Sequence, residues 1–352
     1  MQAKQGCDHG PLQYRNARRK SNGMTETATH PFRIRLKADR PARYRKAIVF
    51  CCDDNYLPFA THAAAEIIAW AKSRDFDICL CFGERAVSVP ESLASLDIRL
   101  CHVDVRGSFE GLRLDAGRTH DVYLRIALPA AFSNDYDRLL YLDSDIFVQG
   151  GDFSALMEVD ITPHCVAAVR DHVQWRTPSR QNARNSMKGV PASAYFNAGV
   201  MLMDVKSYND QDLMQRCINF GRARREELTR HDQNLYNAVL QGDWAELSPM
   251  WNWQFSWSAR LFATLVSPHV LHFIGPAKPW KDRDAQFEPR FHNSYARFIA
   301  SHFPDHRLEA LKLPRMAPDS TKMAKMLIKH LLTRRKIARY LARFPDDLTV
   351  HR

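Results

Sequence analysis

The chain has 352 residues, of which 45% are hydrophobic and 25% charged, with a formal net charge of +11. That length supports a substantial core. The balanced composition, without low-complexity tracts or a repeat period, excludes disordered, fibrous and solenoid classes. No apolar run reaches the roughly 18 residues of a membrane span, so no transmembrane helix is expected.

The charge is concentrated at the ends. Residues 1–46 carry twelve Lys/Arg against three acids, and residues 320–345 carry eight Lys/Arg and no acid, which leaves the middle mildly acidic. Basic ends either solvate a surface or attract a polyanion such as an anionic leaflet or nucleic acid. Residues 1–45 read as a basic, flexible leader, and the opening "MQAKQGCDHGPLQYRNARRKSNG" lacks the apolar core of a secretory signal. Cys51, Cys52, Cys79 and Cys81 lie in the apolar runs "AIVFCC" and "FDICLCF", where they read as small buried hydrophobes without CxxC spacing. Reduced thiols in a cytosolic protein are the expectation.

From Lys46 the pattern alternates. "KAIVFCC" reads as a strand, "DDNYLP" as a turn and "FATHAAAEIIAWAKS" as a helix of strong helix formers. "FDICLCFG" and "DIRLCHVDV" are further strands. Residues 120–132, "HDVYLRIALPAAF", form a helix broken near Pro129, and "YDRLLYLDSDIFV" is a central strand ending in Asp143 and Asp145. Beyond these, "HCVAAVRDH" leads a strand to Asp171, and "AYFNAGVMLMDVKSY" is a strong strand or strand pair in which Asp204 caps the following turn rather than acting on substrate. "DQDLMQRCINFGRARR" is an amphipathic helix, and Asp232 stands early in another helix. Trp251, Trp253 and Trp257 crowd a loop-like stretch where core or lid packing outweighs sugar stacking. "HVLHFIGPAKPWKD" is a strand ending in His272 and a Gly/Pro turn.

Near-continuous apolar strands alternating with helices imply a parallel sheet covered on both faces. In such sheets ligands bind beyond the carboxyl ends of the strands, where "CCDDN" and "LYLDSD" place their acids. An Asp-x-Asp pair there is a donor set for a hard divalent cation bridging phosphates, although such pairs also cap helices and form turns. His272 offers a third ligand whose nitrogen favours Mn²⁺ over Mg²⁺, although a lone histidine ending an apolar strand is more often structural. Lys278 could meet a diphosphate as a point charge or be an ordinary surface lysine. Neither GxGxxG nor GxxxxGK[ST] occurs, which weakens a dehydrogenase or ATPase reading.

The ordered set "IVFCCDDNY", "YLRIALP", "RLLYLDSDIFV", "YFNAGVMLMDV", "HDQNLYN" and "HFIGPAKPW" resembles glycosyltransferase family 8, over about residues 46–285. The resemblance implies a nucleotide-diphospho-sugar transferase (GT-A) fold: one Rossmann-like α/β domain with a mixed sheet, followed by a basic helical region over 286–352. It further implies a UDP-sugar donor, Mn²⁺ with Mg²⁺ as substitute, and transfer with retention to a glycan or glycolipid acceptor, as in lipopolysaccharide synthesis. Carried over by residue, Asp143, Asp145 and His272 are metal ligands, with Ser144 between the aspartates at the donor. Cys51, Asp53, Asn55 and Tyr56 surround uracil and ribose; Gly275 and Lys278 receive the diphosphate; Arg125 lies over phosphate and sugar. Asn197, Ala198, Asp232 and Gln233 hold the donor sugar, with Asp171 a weaker match. Gln233 is a poor nucleophile, so same-face attack is favoured over a covalent step on Asp232.

The C-terminal stretch spaces Met323, Leu327 and Leu331, then Ile337, Leu341 and Phe344, among positive charges. That pattern suits either a helix lying on an anionic membrane surface or one packed on the core. The expected location is cytoplasmic, peripheral on the inner face of the cell membrane; nucleic acid is not expected as a partner. Competing classes are a metal-dependent nucleotidyl- or phosphotransferase, which leaves "FNAG" and "HDQ" unexplained, and a non-catalytic basic membrane-binding protein.

Overall fold

The computed structural model describes residues 25–26, 34–83, 85–115, 120–180, 190–228, 231–256, 260–282, 287–306, 308 and 320–352. Its strands are β1 (Thr25–Glu26), β2 (Arg35–Ala38), β3 (Lys46–Cys51), β4 (Asp77–Phe82), β5 (Ile98–Asp104), β6 (Arg138–Leu142), β7 (Ile146–Val148), β8 (Val166–Arg170), β9 (Phe196–Asp204), β10 (Ala245–Leu247), β11 (Trp253–Gln254), β12 (Val270–His272) and β13 (Val350–His351). The helices are α1 (Leu57–Trp70), α2 (Leu124–Ala131), α3 (Phe153–Glu158), α4 (Val205–Asp210), α5 (Leu213–Ala223), α6 (His231–Leu240), α7 (Arg260–Val266), α8 (Pro289–His302) and α9 (Ser320–Leu341).

One large sheet runs in the order β1-β2-β5-β4-β3-β6-β9-β8-β10-β13, and β11, β12 and β7 form a small second sheet beside it. Alternation along β3 divides the core between the two faces. Ile48 and Phe50 pack with α1 and α8, while Ala47 and Val49 pack with α2, α5 and α6. The expectation of a parallel sheet holds for β5, β4, β3 and β6. It fails beyond them, because β9 runs antiparallel to both β6 and β8. Both faces of β9 are covered, so its apolar run gives no cue to direction.

The ordered unit also begins before Lys46, inside the expected leader. Residues 35–38 pair with β5, and Arg40 Nη1 lies 3.0 Å from the buried Asp77 carboxylate. Pro129 does not break its helix; it sits in the last turn of α2. The missing N–H leaves the Arg125 carbonyl to accept a 3.4 Å hydrogen bond from Tyr236 Oη instead. Asp204 caps α4 through Ser207 N–H at 2.8 Å, and Trp251 and Trp253 are fully buried; Trp257 lies outside the described residues. All seven described cysteines are free.

At the C-terminus, one face of α9 packs on the core and another is open. Met326, His330, Ile337 and Tyr340 are buried along α9, Tyr340 stacks on Trp175, and β13 closes the sheet edge against β10. Leu327, Ile328, Leu331 and Leu332 are exposed. The stripe through Met323, Leu327 and Leu331 is therefore not the packed one. No helix among the described residues is long and apolar enough to cross a membrane.

Candidate active site

The site forms where β6 leaves the sheet. Asp143 N–H donates to Gly199 O across to β9 at 2.8 Å, and Phe273 N–H donates to Asp145 O at 3.0 Å. The pairing of β7 with β12, which sets Ile146 opposite His272, brings that imidazole beside both acids. His272 Nε2 lies 3.2 Å from Asp145 Oδ1 and 3.7 Å from Asp143 Oδ2. Each of the three residues can present one donor atom with all three atoms within 4.8 Å, the one such group among the described residues. Two carboxylates and an imidazole suit a divalent cation of Mn²⁺ character. The buried Asp145 Oδ1 and Ser144 Oγ have no hydrogen-bond partner, an unfavourable state that a cation with its other ligands would relieve.

The acids are held by cations and hydroxyls. Burial alone would raise the Asp145 carboxyl, but His272 and Lys278 outweigh it and hold it below the ordinary carboxylate range. Lys278 donates to the Asp145 carboxylate and to the Phe273 carbonyl. Asp143 Oδ1 accepts from Tyr141 Oη at 2.7 Å and lies 3.0 Å from Arg125 Nη1. The Arg125 guanidinium also lies 4.3 Å from the centre of the Tyr141 ring, donates to Ala198 O at 3.0 Å, and places Nε 3.1 Å from Asp232 Oδ2. Burial opposes its charge, but Asp143 and Asp232 hold it protonated. Asp232 is pushed up to about 6 by burial, which Arg125 only partly offsets and Asp143 reinforces.

Next to this cluster, Gln233 Oε1 accepts from Asn197 Nδ2 and from Ala198 N–H, each at 3.3 Å. The structure thus gathers Arg125, Asp143, Asp145, Asn197, Ala198, Asp232, Gln233, His272 and Lys278 into one connected set. Cys51 ends β3 within electrostatic reach of Arg125 and Tyr141. Asp53, Asn55 and Tyr56 lie on the exposed turn after it. There the Asp53 carboxylate accepts from the N–H groups of Asn55 and Tyr56, both at 3.0 Å. Gly275 takes a φ of +85° in the turn after β12, a conformation that favours glycine. Asp171 is buried at the end of β8, with Oδ1 accepting from Val173 N–H at 3.0 Å.

Two contributors escaped the sequence reading. Tyr141 counted only as an apolar strand residue, although period two puts it on the same face as Asp143. Gly199 sits so close to the ligands that a Cβ there would fall 2.2 Å from His272 Cε1 and 2.8 Å from Asp143 Oδ2. Only its place in "FNAG" hinted at that.

The acid–imidazole set lies where the sheet switches from parallel to antiparallel strands, at the carboxyl end of β6 where open α/β sheets take their ligands. The chain belongs to Glycosyl transferase family 8, whose model matches residues 47–284. It is similar to general stress protein A of Bacillus subtilis, 29% identical over 265 residues, covering 66% of this chain and 86% of the relative. It also resembles the lipopolysaccharide 1,3-galactosyltransferase of Salmonella typhimurium, 28% identical over 171 residues, covering 46% of this chain and 50% of that protein. The match thus spans about half of that transferase. Among solved structures, the galactosyltransferase LgtC in complex with donor and acceptor sugar analogues superposes with a TM-score of 0.57 at 21% identity, over 73% of this chain and 96% of LgtC. That likeness concerns the fold.

Proposed function

We propose that the protein is a retaining hexosyltransferase that takes a hexose from a UDP-sugar and delivers it to a glycan or glycolipid acceptor, in lipopolysaccharide or other cell-envelope glycan synthesis. The observation that carries this reading is the convergence of Asp143, Asp145 and His272, with the buried Asp145 Oδ1 facing His272 Nε2 at 3.2 Å. These residues would hold Mn²⁺, with Mg²⁺ as a substitute, and the bound cation would neutralise charge on the departing phosphate. Lys278, which donates to Asp145, would receive the diphosphate with the Gly275 turn; Cys51, Asp53, Asn55 and Tyr56 would take the uridine, and Asp171 would lie toward the sugar.

The acceptor oxygen bonds to the anomeric carbon on the face from which the phosphate oxygen leaves, and that phosphate oxygen takes the acceptor's proton. Gln233, beside Asn197 and Ala198, orients the sugar and supports developing positive charge. Asp232 is drawn toward Arg125, which weakens it as a nucleophile. A glycosyl-Asp232 adduct found by mass spectrometry in Gln233→Ala would reverse that assignment. Incubation with Mn²⁺ and a panel of UDP-hexoses should release UDP with one preferred sugar; no release with any of them would defeat the reading.

The exposed face of α9 supports a peripheral position on an anionic membrane, on the cytoplasmic side. Leu327, Ile328, Leu331 and Leu332 project beside Lys325 and Lys329, pairing apolar insertion with about 1 kcal/mol per basic residue near the surface. Removing 320–352 would also strip the packed Ile337, Tyr340 and β13, so point changes are the better test. Leu327→Glu with Leu331→Glu should abolish sedimentation with anionic vesicles and spare UDP-sugar hydrolysis.

A further inference from the structure

Asn252 is fully buried between Trp251 and Trp253, one residue before β11. β11 pairs in parallel with β12, setting Gln254 opposite His272. The Asn252 side chain has two neighbours: Oδ1 lies 3.0 Å from His272 Nδ1, and Nδ2 lies 2.9 Å from Asn197 Oδ1. The direction of this chain is fixed by backbone groups that cannot reverse. Gly199 N–H lies 3.0 Å from Asn197 Oδ1, which marks that atom as an acceptor. Asn252 must therefore point its NH₂ at Asn197 and its carbonyl at His272. His272 must in turn carry a proton on Nδ1, which leaves Nε2 as the nitrogen facing Asp145 and Asp143.

The opposite end is fixed in the same way. Asn197 spends its NH₂ on Gln233 Oε1, which also accepts from Ala198 N–H. One buried amide thus connects the imidazole of the metal triad to the carboxamide beside the donor sugar.

We propose that Asn252 is a positioning residue with two separable tasks: its carbonyl aims His272 Nε2 at the cation, and its NH₂ holds Asn197, and through it Gln233, at the sugar. This rests on the proposed function of the site. Outer partners that orient a ligating histidine are commonly worth about 10–100-fold in metal affinity.

The two tasks come apart in two variants. Asn252→Ala loses both contacts. Asn252→Asp can still accept from His272 Nδ1–H but presents an acceptor to Asn197 Oδ1. Mn²⁺ affinity by titration, the electron spin echo modulation of imidazole nitrogen bound to Mn²⁺, and UDP-sugar hydrolysis are measured on the full chain. Asn252→Ala should bind Mn²⁺ about 10–100-fold more weakly and lose the nitrogen modulation. Asn252→Asp should keep the modulation, bind Mn²⁺ within about threefold of wild type, and lose roughly tenfold or more in kcat. Wild-type Mn²⁺ affinity in a folded Asn252→Ala overturns the aiming role. Asn252→Asp losing metal and turnover together overturns the separation, and that variant decides alone if Asn252→Ala does not fold. Failure of the wild-type protein to bind Mn²⁺ defeats the reading of the site itself.

Discussion

Two carboxylate clusters sit at this sheet, one buried and one half-buried, and they differ in whether their hydrogen-bonding capacity is filled. In the middle of β10, Glu246 receives two hydrogen bonds from Arg170, at 2.9 and 2.7 Å, and two from Arg343, at 3.1 and 2.9 Å. It receives a fifth from Tyr340 Oη at 3.0 Å. Burial would raise its carboxyl, but the two arginines hold it below the ordinary value. At the end of β6, Asp143 and Asp145 crowd together with Asp145 Oδ1 and Ser144 Oγ left without partners. A filled cluster fastens the C-terminal segment to the sheet. A cluster that leaves acceptors bare has room for a ligand.

The largest effect should come from emptying the bare cluster of charge. Asp143→Asn with Asp145→Asn should lower Mn²⁺-dependent UDP release by at least about 10³-fold, the scale of a lost electrostatic stabiliser. It should also lower the melting temperature, because Lys278 and Arg125 lose the carboxylates that hold their charges. A folded variant that keeps Mn²⁺-dependent UDP release would place Asp143 and Asp145 with Glu246 as structural groups.

Gly199→Ala tests the same corner sterically. The added methyl would collide with His272, a buried ring with little room to retreat, and overpacking of this kind costs about 1–3 kcal/mol. Isothermal titration should show weakened Mn²⁺ binding; unchanged affinity would mean that the triad shifts freely.

Glu246→Gln should separate stability from activity, unlike the aspartate pair. Removing the charge strands Arg170 and Arg343, for which about 3 kcal/mol of lost stability is expected, seen as a lower denaturation midpoint. UDP-sugar hydrolysis per folded molecule should be unaffected.

Glu66 on α1 falls between the two cases, with Val148 N–H donating to its carboxylate at 2.9 Å and His62 Nδ1 3.5 Å from the same oxygen. Burial pushes its carboxyl up to about 8, the hydrogen bond opposing this only in part. Since the folded value exceeds the unfolded one, its stabilising contribution is complete below about 4.5 and is lost as pH rises through about 8. Glu66→Gln, which keeps the acceptor, should match wild type near pH 5 and melt progressively higher than wild type toward pH 9. Parallel melting curves across that range would contradict the assignment.

The difference between clusters was partly visible in the sequence. Asp143 and Asp145 announced themselves by following an apolar strand, while Glu246 in "WAEL" had no local pattern to mark it. The partners of Glu246, Arg170 and Arg343, stand 76 and 97 residues away in the chain. The motifs around Cys51, Arg125, Asn197, Asp232 and His272 carried the site by resemblance, not by periodicity. Asn252 carried no signal, since a polar residue between two tryptophans reads as an ordinary loop.

By itself the sequence determined what depends on neighbours a few residues apart: the strand and helix periods, the Asp-x-Asp at a strand end, the cap at Asp204 and the family of the chain. Tertiary structure decided the reversed direction of β9, the hold of Lys278 on Asp145 and the division of α9 into a packed and an open face. It also set the polarity of the amide chain from His272 to Gln233. Each of these depends on which distant segments pack together. Side-chain periods of two and 3.6 are local, whereas a buried polar group is satisfied or left bare by whatever the fold brings beside it.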